Sequence, residues 1–108
     1  MSLTAITFFE RFEADILSGK KTLTIRDDTE KDFLPGSIVQ VSTYEQNRWF
    51  CVLKIESVEA ILFSDLSDIH AKQENMTLSA LKNVIKEIYP SISHLYVISY
   101  KLIKEKVL

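Results

Sequence analysis

Two stretches of this chain hold residue types that do chemistry at close spacing. The first is Gly19-Lys20-Lys21-Thr22-Leu23-Thr24-Ile25-Arg26. It gathers cations and hydroxyls where a helix hands over to a strand, a place from which they can be presented to a pocket. Read plainly, the same residues are a helix end with basic side chains facing the dipole, followed by an ordinary strand. The second stretch is His70-Ala71-Lys72-Gln73-Glu74-Asn75-Met76-Thr77. Glu74 and Asn75 stand beside a helix start, either as solvated cap residues or with the carboxyl turned inward to serve as an acid. The residues alone leave both alternatives open.

Other chemistries find no support. His70 and His94 stand far apart, and the chain has no H-E-x-x-H or C-x-x-C pairing. No metal or other cofactor is therefore expected. A zinc-dependent cytidine deaminase in particular needs His and Cys ligands that the sequence does not supply. A G-x-S-x-G elbow is missing, and Gly19 and Gly36 are the only glycines, too few for a phosphate-binding loop. Cys51 is the sole cysteine and lies in the apolar run Trp49-Phe50-Cys51-Val52-Leu53, where a buried, inert thiol is expected. The formal net charge is −2, a poor background for gripping a long phosphate backbone. A small, nearly neutral ligand is the easier partner.

The elements that must position these residues follow from periodicity and punctuation. At 108 residues with 46% hydrophobic content, the chain is a single domain with a real core. Thr7 followed by Glu10 reads as a capping box, so a helix is expected from Thr7, with Phe9, Phe12 and Ile16 on its buried face and Gly19 as its left-handed end. Glu10, Glu13 and Asp15 are expected to turn mostly to water. Thr22 to Arg26 reads as a short strand, with Leu23 and Ile25 on one side and Thr24 and Arg26 on the other. Lys21 and Thr24 would face opposite sides of a regular strand, so Lys21 must sit in the turn before it and reach around. Asp27 to Asp32 is a polar loop, and Pro35-Gly36 a turn. A strand carrying Ile38, Val39, Val41 and Tyr44 turns at Glu45-Gln46-Asn47 into a longer one from about Trp49 to Val58, which Ala60 to Phe63 extends past a bend. Ser64 to Gln73 is an irregular helix. Thr77 to Tyr89 is a clearer one, capped by Thr77 with Met76 packing on Leu81 as a staple, and stopped by Pro90. Leu95 to Leu102 is the last strand. The class is α+β, expected as a small barrel with helices at its mouth.

The two chemical stretches also carry a resemblance. Ile6-Thr7-Phe8-Phe9-Glu10-Arg11-Phe12, leading into Gly19 to Asp27, together with His70 to Leu78 and on through Leu81-Lys82, Val84-Ile85 and Ile88-Tyr89-Pro90, is similar to the bacterial N(4)-acetylcytidine amidohydrolases. These are small proteins made of little more than an ASCH domain, related to the PUA-like barrels. The resemblance covers roughly Ile6 to Tyr100. The wider superfamily often shows G-x-K-x-x-E-x-R where this chain has Thr24 in place of the Glu, which is the amidohydrolase variant. Departures fall in Asp27 to Leu34, in Ser57 to Asp65 and in the tail to Leu108.

The resemblance implies a single ASCH domain over residues 1–108, with its core at about 6–102. It also implies a metal-independent hydrolysis of the exocyclic amide of N(4)-acetylcytidine and related N(4)-acylated cytosine compounds. The family's lysine general base falls on Lys21, its threonine nucleophile on Thr24 and its glutamate proton donor on Glu74. Arg26 matches the motif and takes a supporting role, orienting substrate or Glu74. Lys21 can accept a proton only if neutral, so its pKa must lie well below the usual ~10.4, through burial or a neighbouring cation. The alternative is a non-catalytic RNA-binding PUA-like module in which Lys20, Lys21 and Arg26 contact phosphates; the acidic balance speaks against it. A second rival, a protein-interaction domain presenting Tyr44 or Trp49, rests on isolated aromatic residues. No leader opens Met1 to Ile6 and no run approaches the ~20 apolar residues of a membrane span, so a cytoplasmic monomer acting on a free nucleoside is expected.

Overall fold

The computed structural model describes residues 4–105. Met1 to Leu3 and the tail residues 106–108 lie outside it, including the opening of the segment examined for a leader and the ends of the domain. In order, the elements are β1 (Ala5–Phe8), α1 (Glu13–Leu17), β2 (Leu23–Arg26), β3 (Ile38–Thr43), β4 (Trp49–Leu62), α2 (Asp68–Gln73), α3 (Leu78–Ile88) and β5 (His94–Glu105). Short 3-10 turns precede α1, follow β2 and follow β4. The five strands form one mixed sheet in the order β1-β3-β4-β5-β2. Only β1 and β3 run parallel.

The expected helix from Thr7 is corrected. Ala5–Phe8 is a strand in register with Gln40–Thr43, so Thr7 caps no helix. The reason is tertiary: Ile6 and Phe8 alternate with Thr7 and bury their side chains in the sheet's core, which outweighs the local capping signal. The Phe9-Phe12-Ile16 stripe is real but belongs to a shorter helical segment in which Phe9 is the cap of a 3-10 turn. Gly19 takes the expected left-handed conformation at φ +79°. Thr77 caps α3 as expected, its Oγ1 accepting from the Ala80 N–H at 3.1 Å.

β4 is one continuous strand through Leu62 with no break at the anticipated bend between Val58 and Ala60; its pairing with β5 shifts register earlier, at Val52/Leu53 and Ile55/Ser57. Such irregularities increase coil and let a long strand wrap. Two apolar clusters result. One, around Val39, Val41, Phe50, Leu53 and Ile98, fills the space beneath β1 and α1. The other joins Leu23 and Ile25 of β2 to Leu81 and Ile85 of α3 and to Leu95 and Val97 of β5. β1 and β2 are the two edges of the sheet, and among the described residues no backbone ladder joins them. A side chain crosses this seam instead: Arg26 Nη2 of β2 donates to the Thr7 carbonyl of β1 at 2.7 Å.

Candidate active site

The seam is where the chemical residues meet. Lys21, Thr24 and Glu74 are all buried. With Arg26 they line one pocket enclosing about 230 Å³, closed by Phe8, Phe9 and Phe12 on one side and by Val84, Ile85 and Ile88 of α3 on another. An apolar cavity with a few converging polar groups is the usual form of a small-molecule site.

Each side chain has a local cause for its position. The α1 helix ends at Gly19, and the chain doubles back so that the Lys20 and Lys21 N–H groups both donate to the Asp15 carbonyl at 3.0 Å. This holds Lys21 in the turn before β2. From there its Nζ reaches around and donates to the Leu23 carbonyl at 3.0 Å. Glu74 closes α2. Asn75 adopts the left-handed conformation at φ 58° and Met76 N–H returns to the Ala71 carbonyl at 2.8 Å, a Schellman-type ending. Asn75 Nδ2 donates to Asp15 Oδ1 at 3.2 Å and the Thr22 N–H donates to the Gln73 carbonyl at 2.7 Å, which fastens the α2 terminus to the Lys21 turn. Glu74 therefore points inward, and its Oε1 forms a buried ion pair with Lys21 Nζ.

Burial pulls the Lys21 ammonium down to about 7, with the Arg26 charge adding to the effect and Asp15 opposing it. Desolvation penalises the charged amine, which is the condition the lysine must meet to act as a base. The Phe8 and Phe12 rings lie 5.7 Å and 5.1 Å from Nζ and make up much of that dry surrounding. Arg26 stands on the same Phe8 ring at 4.8 Å. Its Nε donates to Thr24 Oγ1 at 2.9 Å, so it orients the hydroxyl rather than Glu74.

Three contributors were missed by sequence reasoning. Glu30, inside the polar loop, accepts from Arg26 Nη1 with both oxygens at 3.1 Å and 2.9 Å; its spacing of four from Arg26 was the available signal. Asp15, expected in water, is half-buried and anchors both the lysine turn and Asn75. Phe8, assigned to a helix, forms the floor. His70 has a structural task, its Nδ1 accepting from the Ser67 N–H at the start of α2. Among the described residues, no group of three or more His, Cys, Asp or Glu comes together as metal ligands. No helix there is long and apolar enough to cross a membrane.

The profile of the ASCH domain matches residues 4–101. An N(4)-acetylcytidine amidohydrolase of Vibrio atlanticus (strain LGP32) is 67% identical over 100 residues, covering 93% of this chain and 96% of the relative. The chain belongs to this ASCH-domain amidohydrolase family. A further member, the N(4)-acetylcytidine amidohydrolase of Shewanella sp. (strain W3-18-1), is 55% identical over 100 residues, with 93% and 97% coverage. The ASCH fold is found again in solved structures of low sequence identity. A protein from Enterococcus faecalis V583 superposes with TM-score 0.77 at 16% identity, over 95% of this chain and 77% of that one. An ASCH domain from Lactobacillus crispatus JV V101 gives 0.74 at 14%, over 95% and 82%.

Proposed function

We propose that the protein hydrolyses N(4)-acetylcytidine to cytidine and acetate, with Lys21 as general base, Thr24 as nucleophile and Glu74 as proton donor. The observation that carries the residue assignment is the buried contact of Lys21 with Glu74 on the wall of the pocket that Thr24 shares. In a dry site an ammonium–carboxylate pair and an amine–carboxylic acid pair differ only in where one proton sits. Moving that proton from Nζ to Oε1 creates the base and the acid in one step.

The steps then balance. Neutral Lys21 takes the Thr24 proton as Oγ1 bonds to the acetyl carbonyl carbon, and the carbonyl π pair moves onto oxygen. Of the five N–H donors of Arg26, Nε–H goes to Thr24, one Nη2–H to the Thr7 carbonyl, and Nη1 faces both oxygens of Glu30. The second Nη2–H is a donor for the developing oxyanion. Collapse breaks the C–N bond, and the Glu74 proton passes to the departing exocyclic nitrogen. Lys21, now charged, returns a proton to Glu74 across their contact and is a base again. Water then releases acetate from acyl-Thr24. Mass spectrometry of the trapped enzyme tests the covalent step: acetyl on Thr24 supports it, and rapid turnover by Thr24→Ala removes it in favour of direct water attack.

The RNA-binding alternative needs Lys20, Lys21 and Arg26 free for phosphates. Two of the three are already paired with carboxylates inside the fold. This favours a free nucleoside as substrate; a cytoplasmic monomer completes the proposal. The deciding assay follows ultraviolet absorbance of N(4)-acetylcytidine without added metal, beside Lys21→Ala and Glu74→Ala. Wild-type rates in either variant would refute the role assigned to that residue.

A further inference from the structure

Arg26 touches Thr24, Phe8 and the Thr7 carbonyl, yet one charged partner decides its state. Glu30 grips Nη1 with both carboxylate oxygens from the 3-10 turn after β2, and it is itself a wall residue of the pocket. Its side chain is 28% exposed against 13% for Arg26, so the pair sits at the boundary between pocket and solvent. We propose that Glu30 is a positioning residue of this site: its two-point grip fixes the guanidinium against Thr24 and sets how much positive charge is felt at Lys21.

Glu30 meets the single nitrogen Nη1 with both oxygens, and this charge-assisted contact, with the Thr7 bond on Nη2, restrains the orientation of the guanidinium. With Nη1 held by Glu30 and Nη2 by Thr7, Nε has one direction left, toward Thr24 Oγ1. The pair is also close to neutral as a unit. Without Glu30 the full charge of Arg26 stands across the Phe8 ring from the lysine. Other groups facing Lys21 are Glu74 from the end of α2, Asp15 from α1 and the buried phenol of Tyr100 from β5. Those around Arg26 are Tyr89 after α3, Tyr100, and Asp27 and Glu30 of the loop. Of these, Glu30 is the group in direct ion-pair contact with the guanidinium.

The test separates charge from shape and rests in part on the amidohydrolase reading. The first measurement needs no substrate: the titration of the Lys21 side chain followed by carbon-13 NMR, assigned by the signal lost in Lys21→Met. In Glu30→Gln the amide oxygen still accepts from Nη1, so the arginine stays and only the charge goes. The Lys21 midpoint is expected to fall by about 0.5 to 1 pH unit, and Glu30→Asp to return it toward wild type. The second measurement is kcat/KM for N(4)-acetylcytidine against pH, whose alkaline limb should move with the NMR midpoint. Glu30→Ala, which also frees the guanidinium, should lower kcat about tenfold with KM changed less. An unmoved or raised midpoint in folded Glu30→Gln overturns the proposal. Failure of the wild-type protein to turn over the substrate would sink the activity reading alone, because the NMR midpoint still decides the role of Glu30.

Discussion

Lys21 and Cys51 are both deeply buried, and the same physical effect acts on each with opposite chemical results. Desolvation favours the neutral form of any titrating group. For Lys21 the neutral form is the reactive one, and burial brings it to about 7. For Cys51 the neutral form is the unreactive one, and burial pushes the thiol up to about 12. The surroundings differ as well. Cys51 lies among Val41, Phe50 and Leu53 in the sheet's core. Lys21 lies at the seam, with a carboxylate in contact and a cavity in front of it. Burial makes a site only where the neutral form is useful and a substrate can enter.

The contrast can be broken at the lysine first. Lys21→Met keeps the volume and removes the proposed base, and Thr24→Ala removes the proposed acceptor of the acyl group. Either should cost about 10³-fold or more in kcat/KM with the fold retained by circular dichroism. A loss below tenfold in Lys21→Met would mean that its low basicity is a by-product of packing. Glu74→Gln cannot donate the same proton and should cost about 10²-fold in kcat. A leaving group that departs unprotonated, such as a nitrophenyl ester of acetate, should suffer less in that variant.

The pH profile sharpens the comparison further. The pair must keep one proton to supply both base and acid, and with Lys21 lowered it gives that proton up above about 7. Activity should therefore fall about tenfold per pH unit on the alkaline side of neutrality. An alkaline limb lying near 10 would assign the titration to another group. The smallest effect belongs to the thiol. Cys51→Ala should leave kcat/KM within about twofold and lower stability by about 1 to 2 kcal/mol, read as a fall in melting temperature. Thiol alkylation of the native protein should be slow, and fast after denaturation.

How much of this could be read from the chain varies by residue. Lys21 was placed correctly in a turn before its strand, because Gly19 marks the helix end and strand alternation forbids the alternative. Thr77 as the cap of α3 was equally plain. Thr7 was misread because a capping box is a local pattern, whereas the pairing of Ala5–Phe8 with β3 joins residues far apart in sequence. The inward turn of Glu74 depends on Asn75 reaching Asp15, sixty positions away. No local rule reports such a contact. The Arg26–Glu30 pair lay within reach of inspection, since four residues separate them, but its meaning appears only with Thr7 and Thr24 in view.

The bond from Arg26 to the Thr7 carbonyl has a consequence apart from catalysis. A sheet with two free margins is a template on which further chains can add strands, and here one guanidinium laces the two margins together. Loss of Arg26 would therefore be felt as sticking between molecules, in low soluble yield and growing particles, before any softening of the interior. The residue that holds the Thr24 hydroxyl would then also keep neighbouring copies of the protein apart.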